Sequence, residues 1–208
     1  MSKILSPKFT STMLDGDFSC IMKNDKNNNL NFKESELNID NISFIEFNEC
    51  SFYKVKSSEK VFHNVQFVDV VFENCDFSNS NFEFCFFVRC EFKNTKLLGS
   101  NFFNCSFQDV LFGGTLKYSN FANNKFKNVS FNEAFMEDSR LIECKFNTIS
   151  FDNCNINRID FTKCNLNGLD LSTCEFDDIK INPSDLKGIK MNSFQACIVA
   201  RKLGIIIV

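Results

Sequence analysis

The sequence predicts an all-β fold, a four-sided solenoid of short strands, and three features of its 208 residues support this prediction. A large apolar residue returns every five positions from residue 32 to residue 191. A small or β-branched residue stands two positions before most of these centres, and the other three positions of each five are mostly polar. Neither the period of a helix nor that of a strand produces this pattern. Two inward and three outward residues per five indicate coils of about 20 residues, each paired with the coils above and below.

The central column is made mostly of phenylalanine. Of its 33 positions, 20 are Phe, 12 are Leu, Ile or Met, and one is Ser57. The spacing is regular through Phe112, loses one residue within 113–115 and resumes at Leu116. Thirty-three pentapeptides make about eight coils, and a rise of about 4.8 Å per coil predicts a rod of roughly 40 Å.

The second column accounts for ten of the 11 cysteines, with only Cys197 outside it. Because cysteine is small and easily buried, this placement favours packing over redox or metal chemistry, and we expect no cofactor. The first ten residues lack the apolar segment of a secretory signal, so a cytoplasmic location is expected. The ten cysteines are Cys20, Cys50, Cys75, Cys85, Cys90, Cys105, Cys144, Cys154, Cys164 and Cys174.

The composition argues against an enzyme, a membrane protein and a nucleic-acid-binding protein. The chain has 28 Phe but one His and no Trp, and His63 has no evident catalytic partner in the sequence. No stretch approaches the 18 or more apolar residues of a membrane span. The net charge is −3 and no basic stripe is present, so direct binding of nucleic acid is not expected.

The repeats resemble those of a known family. Cys-Asp-Phe-Ser-Asn (75–79) and Cys-Asn-Leu-Asn-Gly (164–168) are similar to the repeats of pentapeptide-repeat proteins, whose fold is a right-handed quadrilateral β-helix. The C-terminal segments 186–191, 193–195 and 203–208 resemble those of the Qnr quinolone-resistance proteins, in which a helix and an apolar tail join two rods end to end. The resemblance implies a non-catalytic homodimer that binds DNA gyrase and topoisomerase IV as a mimic of DNA and protects them from quinolones. A structural or interaction scaffold with an unrelated protein partner is the alternative, and an enzyme is a third, weaker one.

The pattern divides the chain into three segments. Residues 1–31 form an N-terminal capping segment and loop, with the loop at 24–29; residues 32–192 form the β-helix; residues 193–208 form a helix and tail. Ser193 is the expected N-cap and Gly204 the stop. A helix folded back on the last coil as a simple cap is the alternative to a dimer interface. The expected interface residues, the first three as one apolar stripe, are Phe194, Ile198, Leu203, Ile205, Ile206, Ile207 and Val208.

Residues 130–179 are acidic, with ten acids against four bases. Such a surface complements a basic DNA-binding groove, and the resemblance favours this role. The alternative is an ordinary solvated surface, because residues 20 apart, such as Asp138 and Arg158, would stack and form ion pairs. The acids expected to contact the partner are Glu137, Asp138, Asp152, Asp160, Asp170, Glu175, Asp177 and Asp178.

A break in the pattern predicts a loop at 54–60, because Ser57 occupies the central column and Lys60 the small one. In Qnr proteins a projecting loop that aids protection lies at a similar place, although a tolerated insertion is the alternative. The one-residue loss within 113–115 indicates that the second, larger loop of some Qnr relatives is absent. The resemblance implies a partner-binding role for Lys54, Lys56, Ser57, Ser58, Glu59 and Lys60.

Overall fold

A computed structural model describes residues 3–23 and 25–208, with the side chains of residues 20, 22 and 23 outside the description. The predicted fold class is confirmed: the chain is a parallel β-solenoid of about eight turns followed by one C-terminal helix. Phe87 illustrates the predicted coil, because it aligns with Phe67 on one side and Phe107 on the other, each 20 residues away. The prediction for Cys20 concerns a side chain outside the description.

Short strands follow the sides of each coil, and the longest strands continue around a corner onto the next side. Within the described ranges the strands are β1 (Leu14–Asp15), β2 (Lys26–Asn28), β3 (Leu30–Lys33), β4 (Asn41–Ser43), β5 (Glu46–Asn48), β6 (Ser51–Tyr53), β7 (Val61–His63), β8 (Gln66–Glu73), β9 (Asn81–Glu83), β10 (Phe86–Lys96), β11 (Asn101–Phe103), β12 (Ser106–Thr115), β13 (Lys125–Asn132), β14 (Lys145–Asp152), β15 (Ile159–Asp160) and β16 (Ile179–Lys180). Two 3₁₀ helices span Phe18–Lys23 and Pro183–Leu186, and α1 spans Ser193–Lys202.

The strands form parallel sheets in which pairing runs along the rod axis. One sheet has the order β1-β3-β6-β8-β10-β12-β13-β14 and also includes β2 and β5, a second has the order β11-β9-β7-β4, and β15 pairs with β16. On the remaining side the coils are joined by isolated parallel bridges, such as Lys56 with Asp76 and Asp76 with Lys96. The backbone is therefore satisfied by pairing along the rod axis, as the sequence pattern predicts.

The corners between sides explain why the polar positions contain so much asparagine. The residue two positions after a centre repeatedly has a positive φ, for example 55° at Asn74, 57° at Asn79 and 56° at Asp69. Asn and Asp tolerate this left-handed conformation better than other non-glycine residues. The rule has exceptions, because Phe44 and Phe84 adopt the same conformation at their corners. Pairing in the coil therefore imposes the corner geometry even on side chains that do not favour it.

The central phenylalanines stack into columns inside the rod. Along one side Phe32, Phe52, Phe72, Phe92 and Phe112 lie ring on ring, with consecutive centroids 4.6–5.1 Å apart. These distances match the spacing of paired strands, so each ring covers the one in the next coil. Rings on adjacent sides meet edge to face, which closes the core across the rod.

The second column packs and also donates hydrogen bonds. The Cys90 thiol donates to the Phe67 carbonyl at 3.3 Å, and the Ser100 hydroxyl donates to the Phe77 carbonyl at 2.7 Å. The same contact recurs at Cys75, Cys85 and other described members of the column. A small side chain with a weak donor thus binds a carbonyl of the preceding coil, which explains why Cys, Ser and Thr share these positions.

The one-residue loss near Gly114 is confirmed as a coil of 19 residues. Phe107 pairs with Phe126, whereas the preceding and following pairs are 20 apart. At Gly114 φ is +110°, and a Cβ built there would lie 2.4 Å from the Thr95 carbonyl oxygen. Glycine therefore lets the shortened corner pass close to the neighbouring backbone.

The N-terminal segment is only in part the cap that the sequence predicts. Phe18 and Ile21 are buried, and Phe18 stacks on Phe32 at 4.6 Å, so residues 14–23 close the first coil. The loop prediction for 24–29 is wrong for the described residues 25–29, because β2 pairs with β5 and Asn27 is buried. Asn24 lies outside the described residues. Residues 3–10 do not cap the end but lie along the flank of the rod, where their main chain contacts coils as far away as Asn128.

Candidate protein-binding surfaces

The loop predicted at 54–60 does not form. Lys56 bridges the coils on both sides, and the Ser57 N–H donates to the Asp76 carbonyl at 2.7 Å. Ser57 takes the place of a central phenylalanine and is buried, with its hydroxyl unpartnered in the described structure. Lys60 fits the small column because its long chain reaches outward to Asp40, 2.8 Å away. The segment is an ordinary coil surface, with Lys54, Lys56, Ser58 and Glu59 exposed.

Most of the acids predicted to face a partner lie in ion pairs along the rod. Arg158 donates two hydrogen bonds to Asp138, both 2.7 Å long, and Lys180 lies 2.6 Å from Asp160. These partners are 20 residues apart, on neighbouring coils. The paired acids and their bases are Glu137 with Lys117, Asp138 with Arg158, Asp160 with Lys180, Asp170 with Lys190 and Asp178 with Lys202.

The pairing affects both charge and titration. The hydrogen bond from Arg158 lowers the pKa of Asp138, and the one from Lys202 lowers the pKa of Asp178. Both carboxylates are therefore ionised at neutral pH, with a cation beside each. A partner that binds negative charge would meet alternating positive and negative charges along these columns. This is what the alternative of an ordinary solvated surface predicts.

Three of the predicted acids have no ion pair among the described residues. Asp152 ends β14 and receives a hydrogen bond of 3.3 Å from the Ser130 hydroxyl. Glu175 and Asp177 flank Phe176 and line a shallow depression beside helix α1. The uncompensated negative charge of this group therefore lies near the C-terminal end, with Glu175 and Asp177 next to the helix.

Helix α1 begins one residue earlier than predicted. Its N-cap is Asn192, not Ser193, because the Asn192 carboxamide accepts the Gln195 N–H at 3.0 Å. The Gln195 side chain accepts the Asn192 N–H in return at 2.9 Å, which completes a capping box. Gly204 ends the helix as predicted, with φ +85°, and its N–H donates to the Arg201 carbonyl.

Gln195 joins the helix to the last coil, a role that the sequence interpretation missed. Its side chain is buried, and its amide nitrogen donates to the Leu171 carbonyl at 2.8 Å and the Cys174 carbonyl at 2.6 Å. Ile198 and Val199 pack against the core on the same side of the helix. The spacing of Asn192 and Gln195 is that of a capping box, and it could have predicted the N-cap from the sequence. It could not have shown that the glutamine side chain also binds the carbonyls of Leu171 and Cys174.

The predicted stripe of Phe194, Ile198 and Leu203 is wrong. Phe194 is 67% exposed, and Leu203, nine residues on, lies on the opposite side of the helix at 48% exposed. Ile198 alone of the three packs on the rod. The tail Ile205, Ile206, Ile207 and Val208 is exposed, so the C-terminal end carries apolar surface that the described chain does not cover.

Nine of the ten cysteines whose side chains are described are buried, and Cys197 is half-buried. Burial raises the pKa of the Cys75 thiol to about 11 and that of Cys90 to about 12, so neither forms a reactive thiolate at neutral pH. Among the described residues, no three His, Cys, Asp or Glu side chains are placed to hold a metal ion. No helix in the described ranges is long and apolar enough to cross a membrane.

A row of exposed aromatic rings is a second surface that the sequence interpretation missed. His63 lies edge to face between Phe44 at 5.8 Å and Phe84 at 5.6 Å, and Phe84 meets Phe103 at 6.2 Å. The three phenylalanines are 41–69% exposed. Their positions lie one or two residues after a centre, so only the outward orientation of those positions could have revealed the row.

Comparison with known proteins identifies the repeats. A family model described as a pentapeptide repeat region matches residues 65–133 and 114–191. No curated protein matches the chain. Among solved structures, full-length QnrB1, a plasmid-mediated fluoroquinolone resistance protein, is 18% identical with a TM-score of 0.37, over 86% of this chain and 100% of that chain. HetL, a pentapeptide repeat protein involved in heterocyst differentiation regulation from the cyanobacterium Nostoc sp. strain PCC 7120, is 10% identical with a TM-score of 0.33, over 79% and 86%.

The family model spans more than half of the chain and lies within the segment in which the two inward columns repeat every five residues. The coils of that segment have the parallel pairing and left-handed corners described above. On this evidence the chain belongs to the pentapeptide-repeat family.

Proposed function

We propose that this protein is a non-catalytic, cytoplasmic rod that binds a type II DNA topoisomerase, DNA gyrase or topoisomerase IV, as a mimic of DNA and protects it from quinolones. The observation that carries the proposal is the combination of unpaired acids and apolar tail at one end. Glu175 and Asp177 lie beside helix α1, and the exposed tail 205–208 follows that helix directly. The similarity of this C-terminal sequence to Qnr proteins supports the assignment of the partner.

Dimerisation through the tail would place the C-terminal ends of two rods together. Two rods of about 40 Å joined end to end make an object of about 80 Å, with the unpaired acids of both copies near the centre. A DNA-binding groove is basic, so a central negative surface favours its occupation. The exposed interface residues are Phe194, Leu203, Ile205, Ile206, Ile207 and Val208, with Ile198 behind them on the rod.

Deletion of residues 203–208 tests the dimer. Sedimentation velocity is expected to show a dimer for the full chain and a monomer for the truncated chain, because the deletion removes the exposed apolar surface. A quadruple variant with Ile205, Ile206, Ile207 and Val208 changed to Ser keeps the length and is the matched control for chain shortening. An unchanged mass in both variants would contradict the role of the tail.

A supercoiling assay tests the function. With gyrase and a quinolone, addition of the protein is expected to raise the inhibitory concentration of the drug. The Glu175→Gln/Asp177→Asn variant is expected to lose most of this effect, whereas the Asp138→Asn/Glu143→Gln variant, which changes two ion-paired acids, keeps it. No shift over a wide range of protein concentration would refute the proposal, and equal loss in both variants would refute the role of the unpaired acids.

A scaffold with an unrelated protein partner is the second candidate, favoured by two observations. Five of the eight predicted acids are neutralised in ion pairs, and the row of Phe44, His63, Phe84 and Phe103 offers an apolar surface that a DNA mimic does not need. Affinity capture from a bacterial lysate that recovers one protein stoichiometrically and no topoisomerase subunit would favour this candidate. Loss of that partner on Phe84→Ser, but not on Asp177→Asn, would place it on the aromatic row.

A further inference from the structure

The N-terminal residues 3–10, which we call the arm, lie lengthwise on one edge of the rod and cross the coils. The arm lies on a column of corner residues, called here the edge track, whose members stand one above the other in successive coils. The track consists of Glu49, Asp69, Arg89, Asp109 and Asn128. The arm contributes no strand to any sheet of the described structure.

The track holds the arm by its main chain. The Leu5 N–H donates to Asp109 Oδ1 at 3.3 Å, and the Lys8 N–H donates to Asp69 Oδ1 at 2.9 Å. The Thr10 N–H donates to Glu49 Oε2 at 2.5 Å. At the other end, Asn128 Nδ2 donates to the Lys3 carbonyl at 3.2 Å. These four contacts use backbone atoms of the arm, and the Thr10 hydroxyl adds a side-chain contact to Glu49, so the track recognises an extended chain more than a particular sequence.

The spacing shows why an extended chain fits. From Lys3 to Thr10 the arm passes four coil spacings, about 19 Å at about 4.8 Å each. Seven residues span at most about 24 Å when fully extended, so the arm is close to its full length. Charge is complementary as well: the track carries three carboxylates and one guanidinium, and the arm carries Lys3 and Lys8.

The track is rigid, whereas the arm is held lightly. Arg89 fixes Asp69 with two hydrogen bonds of 2.5 and 2.6 Å, and Asn128 donates to Asp109. Both carboxylates are 6% exposed beneath the arm, yet the Leu5 and Phe9 side chains of the arm remain 49% and 40% exposed. The acceptors are therefore preorganised by the rod, and little apolar burial retains the arm.

We propose that the edge track is a binding site for an extended, positively charged peptide segment of a partner protein, and that the arm is its resident occupant. A partner segment binds by displacing the arm and donating its own backbone N–H groups to Asp69 and Asp109. The site lies on a flank of the rod and uses none of the residues assigned above to topoisomerase binding. The proposal for the edge track is therefore independent of the proposed binding of a topoisomerase.

A full-length variant with the arm disabled tests the proposal. Leu5→Pro/Lys8→Pro removes the two central N–H donors and leaves the track and all coils intact. Fluorescence anisotropy with a labelled peptide of residues 3–12 is expected to show saturable one-to-one binding, at least tenfold tighter than to the wild-type chain, whose own arm competes. Adding Asp109→Ala to this variant is expected to weaken binding at least fivefold, whereas Glu133→Ala, at a corner of another edge, leaves it unchanged.

A second peptide keeps the test independent of protein folding. The same peptide methylated on the backbone nitrogens that correspond to Leu5 and Lys8 is expected not to bind. The absence of binding by the unmodified peptide, or equal binding by the methylated one, overturns the proposal. Dimerisation of the wild-type chain that Leu5→Pro/Lys8→Pro abolishes would also overturn it, because the occupant would then be the arm of a second copy.

Discussion

Replacement of Gln195 by alanine removes the polar contacts that hold helix α1 on the last coil. The side chain is 1% exposed and makes three hydrogen bonds, to the Leu171 carbonyl at 2.8 Å, the Cys174 carbonyl at 2.6 Å and the Asn192 N–H at 2.9 Å. A typical hydrogen bond contributes about 1 kcal/mol net, so Gln195→Ala is expected to lower the free energy of unfolding by about 3 kcal/mol. The stability of a solenoid is close to a sum over coils and their interfaces, so the loss is localised at the C-terminal end.

Urea denaturation followed by circular dichroism measures this loss, and amide hydrogen exchange locates it. Gln66→Ala is the matched control, because Gln66 is exposed and its loss is expected to change stability by less than about 0.5 kcal/mol. Exchange is expected to accelerate in α1 and in the coil of Leu171 but not at the N-terminal end. If Gln195→Ala and Gln66→Ala unfold at the same urea concentration, the polar contacts do not hold the helix, and the packing of Ile198 and Val199 suffices.

Three further predictions concern the coils. Gly114→Ala is expected to lower the free energy of unfolding by several kcal/mol, because its Cβ would lie 2.4 Å from the Thr95 carbonyl oxygen. Gly168→Ala is the control, since Gly168 also has a positive φ but nothing lies within 4 Å of its Cβ, and it is expected to cost about 1–2 kcal/mol. Equal urea midpoints for the two variants would refute the steric argument. Arg158 lowers the pKa of Asp138, so their pair contributes stability above the unfolded-state pKa of about 3.9 that is lost as pH falls through the lower folded value. Arg158→Gln is therefore expected to lower the urea midpoint slightly at pH 7 and by less in acid, and a decrease that did not shrink in acid would count against the pair. Among the ten described cysteines, a thiol reagent at pH 8 is expected to modify Cys197 in the native protein and the nine buried cysteines only after unfolding. Mass spectrometry of the labelled protein measures this difference. Labelling of a buried cysteine before unfolding would mean that the coils open locally.

The coil architecture could be predicted because a solenoid turns long-range contacts into a local period. Phe67, Phe87 and Phe107 touch in space and are separated by a constant 20 residues, so the pattern of one coil describes the environment of the next. The same regularity revealed the packing role of the cysteines and the missing residue near Gly114. The stop at Gly204 was also readable, because its signal lies within a few residues of the helix end.

The candidate surfaces were less predictable because they depend on which residues of neighbouring coils the charged ends of long side chains reach. Ser57 and Lys60 break the apolar pattern without breaking the coil, since a lysine in a small position can reach out to Asp40. The acidic count of residues 130–179 did not show that Arg158 neutralises Asp138 across one coil spacing.

By itself, the sequence determined the repeat, its two inward columns, the number of coils and the C-terminal helix, because each depends on residues at fixed, short separations. Only the tertiary structure decided that the arm passes four coil spacings between Glu49 and Asn128, that Gln195 faces inward while Phe194 faces outward, and that Glu175 and Asp177 keep their charge uncompensated. These features join parts of the chain at separations that no period encodes, and their energies come from single polar contacts rather than from a repeated apolar pattern.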